Sequence, residues 1–158
     1  MIGTEIKKII NPSNEILKLT TNWMYNWWGI EENYKYDEVE IYMKNSFNDN
    51  KLPQTYGLFL KNKLIGMYQL TYRDLFLRPD IYPWIANLYI DKNYRNKGYG
   101  KLLIQSIQEN IKHNTKFKEI FLYTEHDNLY EKYNWEFIGY INTPRYKTEK
   151  VRLYKLNL

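Results

Sequence analysis

Asn87-Leu88-Tyr89-Ile90-Asp91-Lys92-Asn93-Tyr94-Arg95-Asn96-Lys97-Gly98-Tyr99-Gly100-Lys101 is the stretch on which the reading of this chain turns. It grows out of a continuous apolar run, Trp84–Ile90, which predicts a strand covered on both faces. It runs into a helix predicted over about Tyr99–Lys112, where Leu103, Ile104, Ile107 and Ile111 share one face. A helix N-terminus leaves backbone N–H groups unpaired and directs a partial positive charge outward. Gly98 and Gly100 allow that backbone to approach a ligand closely, and Arg95, Lys97 and Lys101 add formal charge. Strand, glycine turn and helix therefore predict a phosphate cradle. The spacing excludes a Walker loop, which needs G-x-x-x-x-G-K-[ST], and the G-x-G-x-x-G of dinucleotide folds.

The charge balance points to the same place. The chain has 158 residues and a formal net charge of +5. Residues 87–118 alone hold seven lysines and arginines against Asp91 and Glu109, so this segment carries the whole excess. Focused charge of this kind suits one anionic ligand, whereas a solvated coat spreads out. The segment 31–40 leans the other way, with Glu31, Glu32, Asp37, Glu38 and Glu40 against Lys35. There is no cysteine, which excludes disulfides, thiolate zinc sites and cysteine nucleophiles. With only His113 and His126 available, a multi-histidine metal centre is not expected, nor is any other metal. The first residues lack the apolar run of a signal peptide, and no stretch approaches the roughly 18–20 apolar residues that span a bilayer. The expectation is a soluble cytoplasmic protein that does not engage membranes.

Without repeats or a Gly/Ser/Pro linker, a single domain over residues 1–158 is expected. Thr4–Ile10 alternates as a strand, and Asn11-Pro12 predicts the capped start of a helix that Gly29 stops after Trp28. Asp37 is the predicted cap of a second helix. Tyr56–Leu60 and Leu64–Tyr72 read as a hairpin around Lys61-Asn62-Lys63. Glu119–Thr124 predicts a strand and Asn128–Tyr133 a short helix ending on Asn134 in a left-handed cap. Strands Glu136–Asn142 and Lys150–Leu156 flank a turn at Thr143-Pro144-Arg145. The order β-α-α-β-β-β-α-β-α-β-β places the chain in the α/β class, as an α+β mixed sheet that is mostly antiparallel.

Arg95-x-x-Gly98-x-Gly100 after an apolar strand, followed some thirty residues on by Leu129-Tyr130-Glu131-Lys132-Tyr133-Asn134-Trp135, resembles the GNAT superfamily of N-acetyltransferases. The match in element order covers almost the whole chain, and the match in residues covers about 84–139. The resemblance implies a centrally splayed sheet and acetyl-CoA as cofactor. It implies that the backbone of Arg95, Asn96, Lys97, Gly98, Tyr99, Gly100 and Lys101 cradles the coenzyme A pyrophosphate, with Tyr133 also at the cofactor. Leu88, Tyr89 and Ile90 would pair with the pantetheine arm as an added strand. The Leu88 amide would stabilise the tetrahedral oxyanion, and Tyr130 would act as general acid toward the departing thiolate.

Two positions depart from the family pattern. Trp84 stands where some members carry a catalytic glutamate, and Tyr123 stands where an asparagine is usual. Glu125 and His126 follow the strand 119–124, but no general base is assigned. In this family the first two helices wall the acceptor site, which puts Trp23, Trp27 and Glu31, with Glu125, forward as substrate residues for a cationic amine. The resemblance implies a small-molecule or peptide amine as acceptor. The leading function is an acetyl-CoA-dependent N-acetyltransferase working by direct attack. A catalytically weak CoA-binding sensor of the same fold comes second, and a basic nucleic-acid binder third. A homodimer is compatible with all three.

Overall fold

The computed structural model describes residues 2–141 and 151–158. Contacts divide it into two compact units, residues 1–70 with 87–103 and residues 71–86 with 104–158. Among the described residues three α-helices and seven strands follow one another as β1 Thr4–Lys8, α1 Asn14–Met24, α2 Tyr36–Lys44, β2 Gln54–Leu60, β3 Lys63–Thr71, β4 Trp84–Ile90, α3 Tyr99–Asn114, β5 Glu119–Thr124, β6 Glu136–Ile141 and β7 Val151–Asn157. The strands form one mixed sheet in the order β1-β2-β3-β4-β5-β7-β6.

In the first unit, β1 and β2 pair antiparallel from Thr4↔Leu60 to Lys8↔Tyr56. β2 and β3 then pair antiparallel from Gln54↔Leu70 to Leu60↔Lys63. The two residues between them, Lys61 and Asn62, both have positive φ (47° and 67°), the hand that matches strand twist in a two-residue hairpin turn. β2 and β3 are buried almost throughout, as strands covered on both faces must be. Leu17, Thr20, Thr21 and Met24 recur at helical spacing on α1, and Leu17 and Met24 share a core with Val39, Met43, Phe59 and Met67.

The helix starts differ from the predicted ones. Asn11 has φ 50°, so it is used in a left-handed turn, and Ser13 caps α1 by accepting from the Ile16 N–H at 3.3 Å. After Met24 the chain continues to Gly29 as a π-helical turn. α2 begins two residues earlier than an Asp37 cap requires: Lys35 is the cap residue and the Glu38 carboxylate accepts from its N–H at 2.7 Å.

In the second unit β5 and β7 pair antiparallel from Glu119↔Asn157 to Thr124↔Arg152, and β6 pairs antiparallel with β7. β4 meets β5 in parallel at Trp84↔Phe121. Leu75, Trp84, Phe121, Ile141, Val151 and Leu153 form one buried apolar cluster there. The predicted short helix is a 3-10 turn over Tyr130–Tyr133, shorter than 128–133 because Asn128 itself has φ 54°. Asn134 takes the left-handed cap at φ 64°, ψ 18°. The predicted turn at Thr143-Pro144-Arg145 lies outside the described residues. Among the described residues no helix is long and apolar enough to cross a membrane.

Candidate functional site

The site is built on the C-terminal half of β4 and the turn that follows. Within β4, Asn87 has φ 50°, a left-handed conformation that breaks the even alternation of a strand in the manner of a bulge. Its side-chain amide donates to Gln69 Oε1 at 2.7 Å and to the Tyr42 hydroxyl at 3.1 Å, while its oxygen accepts from the Trp28 indole N–H at 3.1 Å. Tyr42 donates to Gln69 Oε1 at 2.8 Å, so the three side chains close a ring of hydrogen bonds. Gln69 is fully buried, and its Nε2 donates to Thr55 Oγ1 at 3.1 Å. Buried polar groups with every partner in place rigidify what they hold. Leu88, the next residue, is half-buried, as are Tyr89 and Ile90.

Asp91 ends the strand and organises the turn. One carboxylate oxygen accepts from the Asn93 N–H at 2.9 Å, and the other accepts from the Trp23 indole at 3.1 Å. Arg95 donates from Nε to the Ile90 carbonyl at 2.9 Å and lays its guanidinium over the Tyr89 ring at 5.1 Å. Asn96 and Gly98 both have positive φ, at 60° and 82°. Gly98 offers its carbonyl to the Leu102 N–H at 3.2 Å, which makes it the residue that opens α3.

That placement has a chemical consequence. A glycine at the cap has no side-chain oxygen, so it leaves the first N–H groups of the helix to an outside acceptor. A Cβ at Gly100 would meet only Ile90 Cγ1, at 3.9 Å, so the approach there is open. Arg95, Lys97 and Lys101 are exposed around this backbone. Left-handed residues alternating with ordinary ones form anion-binding concavities. These residues fit a diphosphate. Lys63, which sequence reasoning did not single out, joins them by sitting over Tyr94 at 5.5 Å, with Lys97 over the same ring at 5.7 Å.

The aromatic residues of α1 and the π-helical turn separate into two roles. Trp23 is 6% exposed and belongs to the core, whereas Trp27 is 46% exposed. Both pack on Tyr89, with ring centroids at 5.3 and 5.5 Å. Trp28 meets Tyr34 and Tyr42 edge-on at 5.9 and 5.6 Å. Glu31 is exposed on the same loop.

The remaining predicted residues lie in the second unit. Tyr130 is buried, its ring packed against Trp135 at 5.9 Å and Tyr154 at 5.6 Å. Burial pushes its phenol up to about 12, with Tyr154 adding to the shift. Tyr133 is half-buried, and Glu125 and His126 are exposed. The Tyr154 hydroxyl donates to Glu131 at 2.7 Å, a bond that holds the Glu131 carboxyl below its usual range. Trp84 is fully buried and its indole donates to the Ile81 carbonyl at 2.9 Å, so this position has no proton acceptor. Among the described residues no three His, Cys, Asp or Glu side chains gather as a metal site.

Asn87, Gln69, Tyr42 and Trp28 escaped the sequence reading. The one available signal was an asparagine in the middle of an otherwise apolar run, which has no reason to be there unless it is satisfied by partners.

A family model described as the acetyltransferase (GNAT) family matches residues 17–140. Among solved structures, an aminoglycoside 6'-N-acetyltransferase complexed with coenzyme A is similar with a TM-score of 0.74 at 11% identity, over 97% of this chain and 96% of that one. A GNAT family acetyltransferase from Elizabethkingia anophelis with acetyl-CoA bound is similar at 0.64 and 16% identity, over 100% of both chains. One from Streptococcus pneumoniae is similar at 0.62 and 19% identity, over 98% and 99%. At such identities the likeness is one of fold. No curated protein matches the sequence.

Proposed function

The chain belongs to the GNAT acetyltransferase family, and on that premise we propose that it is an N-acetyltransferase that moves an acetyl group from acetyl-CoA to a primary amine. The observation that carries the reading is the α3 N-terminus: an uncapped glycine start, left-handed at Gly98 and ringed by Arg95, Lys97 and Lys101. In this reading residues 95–101 bind the pyrophosphate through backbone N–H groups and charge, with Tyr133 as a further cofactor contact. Leu88, Tyr89 and Ile90 pair with the pantetheine arm, and the whole chain serves as one catalytic domain.

Acetyl-CoA, when bound, supplies a thioester whose carbon the amine attacks and whose thiolate then departs. The Leu88 N–H holds the carbonyl oxygen as it gains charge, the kind of contact worth several kcal/mol when preorganised. In this reading Tyr130 would serve as hydrogen donor to the departing sulfur. Its proton stays in place up to about 12, so the donor is loaded at every physiological pH. A thiol ionises near 8.5, so full transfer from this phenol is uphill, and a hydrogen bond to the developing thiolate is the role the gap favours. The amine attacks directly, and no covalent enzyme intermediate forms. Trp84 offers no acceptor for the ammonium proton, which in this reading leaves to water with no side-chain base assigned. Trp27 and Glu31, exposed beside the core residue Trp23, receive the amine as a small molecule or peptide end, with Glu125 a further candidate.

The missing acceptor at Trp84 also favours a second reading, a CoA-binding module with slow catalysis. Thermal shift with acetyl-CoA, CoA, ATP and an oligonucleotide comes first. At a hundredfold excess over Kd, acetyl-CoA is expected to add about 2.7 kcal/mol, roughly 5–10 °C in Tm. ATP and oligonucleotide should give no matching effect, and Gly98→Asp and Arg95→Ala should abolish or weaken the response. Equal stabilisation by all polyanions would sink the reading. Thiol release over a panel of amines, strongly reduced in Tyr130→Phe, then separates the enzyme from the binding module.

A further inference from the structure

Asn87 is a left-handed residue inside a strand, and its amide is saturated by side chains from three other places in the first unit: Trp28 in the π-helical turn, Tyr42 on α2 and Gln69 on β3. A residue held in a sparsely populated conformation persists only where its surroundings over-determine it. Here the surroundings are themselves locked. Gln69 Oε1 accepts from both Asn87 and Tyr42, Gln69 Nε2 donates to Thr55, Thr55 donates to the Ser46 carbonyl at 2.7 Å, and Ser46 donates to the Tyr42 carbonyl at 2.7 Å. Stability alone does not ask for this arrangement. An apolar residue with ordinary strand dihedrals would fill the position without strain or buried polar groups.

We infer that Asn87 is a positioning residue. Its clamped side chain holds β4 in the left-handed turn that aims the following amide, Leu88 N–H, at the thioester carbonyl. Trp28, which donates to Asn87 at 3.1 Å from the aromatic wall, ties that wall to the same amide. The inference rests on the acetyltransferase reading above and adds what sets the geometry of the oxyanion contact. It also makes a distinction that needs no acceptor amine. Acetyl-CoA has the carbonyl that Leu88 addresses and CoA lacks it, so damage at Asn87 should be felt by one ligand and not the other.

The test is isothermal titration of wild type, Asn87→Ala, Asn87→Gly and Trp28→Phe with acetyl-CoA and with CoA. Wild type is expected to prefer acetyl-CoA. Asn87→Ala should lose about threefold to tenfold in acetyl-CoA affinity, the scale of one hydrogen bond, with CoA affinity unchanged. Asn87→Gly tolerates the left-handed backbone and should keep more of the preference than Ala does. Trp28→Phe removes one N–H while keeping an aromatic ring, so it carries the same test if Asn87→Ala fails to fold. Equal losses for both ligands, the mark of a merely structural residue, would overturn the inference, as would no change for either. A wild type that binds both ligands equally overturns it too, while leaving CoA binding intact. A wild type that binds neither removes the acetyltransferase reading and this inference together.

Discussion

A Cβ built on Gly66 would lie 2.6 Å from Ile90 Cδ1 and 2.8 Å from the Tyr89 carbonyl oxygen. The first contact is with the end of a flexible side chain and the second is with backbone, so the second decides the outcome. β3 thus carries glycine here because β4 runs too close for a side chain, at the residues assigned to the cofactor. Gly57 makes the useful contrast: its Cβ would meet Ile9 and Leu64 Cδ1 atoms at 2.7 Å and Phe59 Cε2 at 2.9 Å, all of them side-chain atoms and none backbone. Gly66→Ala is expected to cost about 1–3 kcal/mol, the range of overpacked cores, and Gly57→Ala less. Urea denaturation of the two variants checks this, and a Gly66→Ala protein as stable as wild type would contradict the close approach. Sequence separation explains why Asn87 went unread in the sequence. Its partners Trp28 and Tyr42 are 59 and 45 residues away, and no local rule connects an asparagine to them.

At the scale of elements, what could be read was what local chemistry determines. β4 was visible as an apolar run, β5 as a short β-branched and aromatic run, and α3 as a glycine turn followed by a 3.6-residue stripe. The cap at Asn134 followed from the left-handed tolerance of asparagine. Helix starts were misread where two residues competed for the cap. Asn11 and Ser13 both offer a suitable side chain, and the left-handed turn at Asn11 left the cap to Ser13. The same preference permits a prediction in the β2–β3 hairpin. Lys61 occupies a left-handed position at φ 47°, where a lysine side chain is strained and asparagine is favoured. Lys61→Asn is expected to stabilise the protein by about 0.5–1 kcal/mol. Its backbone N–H bond to the Gly3 carbonyl, 2.9 Å, is unaffected by the change. Thermal or urea unfolding would show the gain, and a loss would mean that this turn does not set the stability of the hairpin.

For the whole molecule, buried phenols are expected to set the alkaline limit of stability. Tyr56, in the first unit, is pushed up to about 12 by burial and then by Asp49. In the second unit Tyr130 is pushed to about 12 by burial and then by Tyr154, and Tyr154 to about 12 by burial and its bond to Glu131. An unfolded tyrosine ionises near 10. Below pH 10 the neutral form is held in both states and stability is at its full value. Between pH 10 and 12 the unfolded chain sheds these protons while the folded protein keeps them, so stability falls as pH rises. For Tyr56 and Tyr130, both buried, the loss reaches about 2–3 kcal/mol each across that window. Tyr130→Phe keeps the ring and removes one of these titrations. At pH 8 its stability should lie within about 1 kcal/mol of wild type, since one hydroxyl is at stake. At pH 12 the variant should be the more stable of the two, with a flatter profile from pH 10 upward. Urea midpoints at pH 8, 10, 11 and 12, with phenolate absorbance followed in parallel, measure both quantities. Parallel profiles for wild type and variant would mean that the Tyr130 phenol ionises in the folded protein as readily as in the unfolded chain. A phenol that ionises so readily, near 10, would also narrow the gap to the thiol and make full transfer of the Tyr130 proton less uphill.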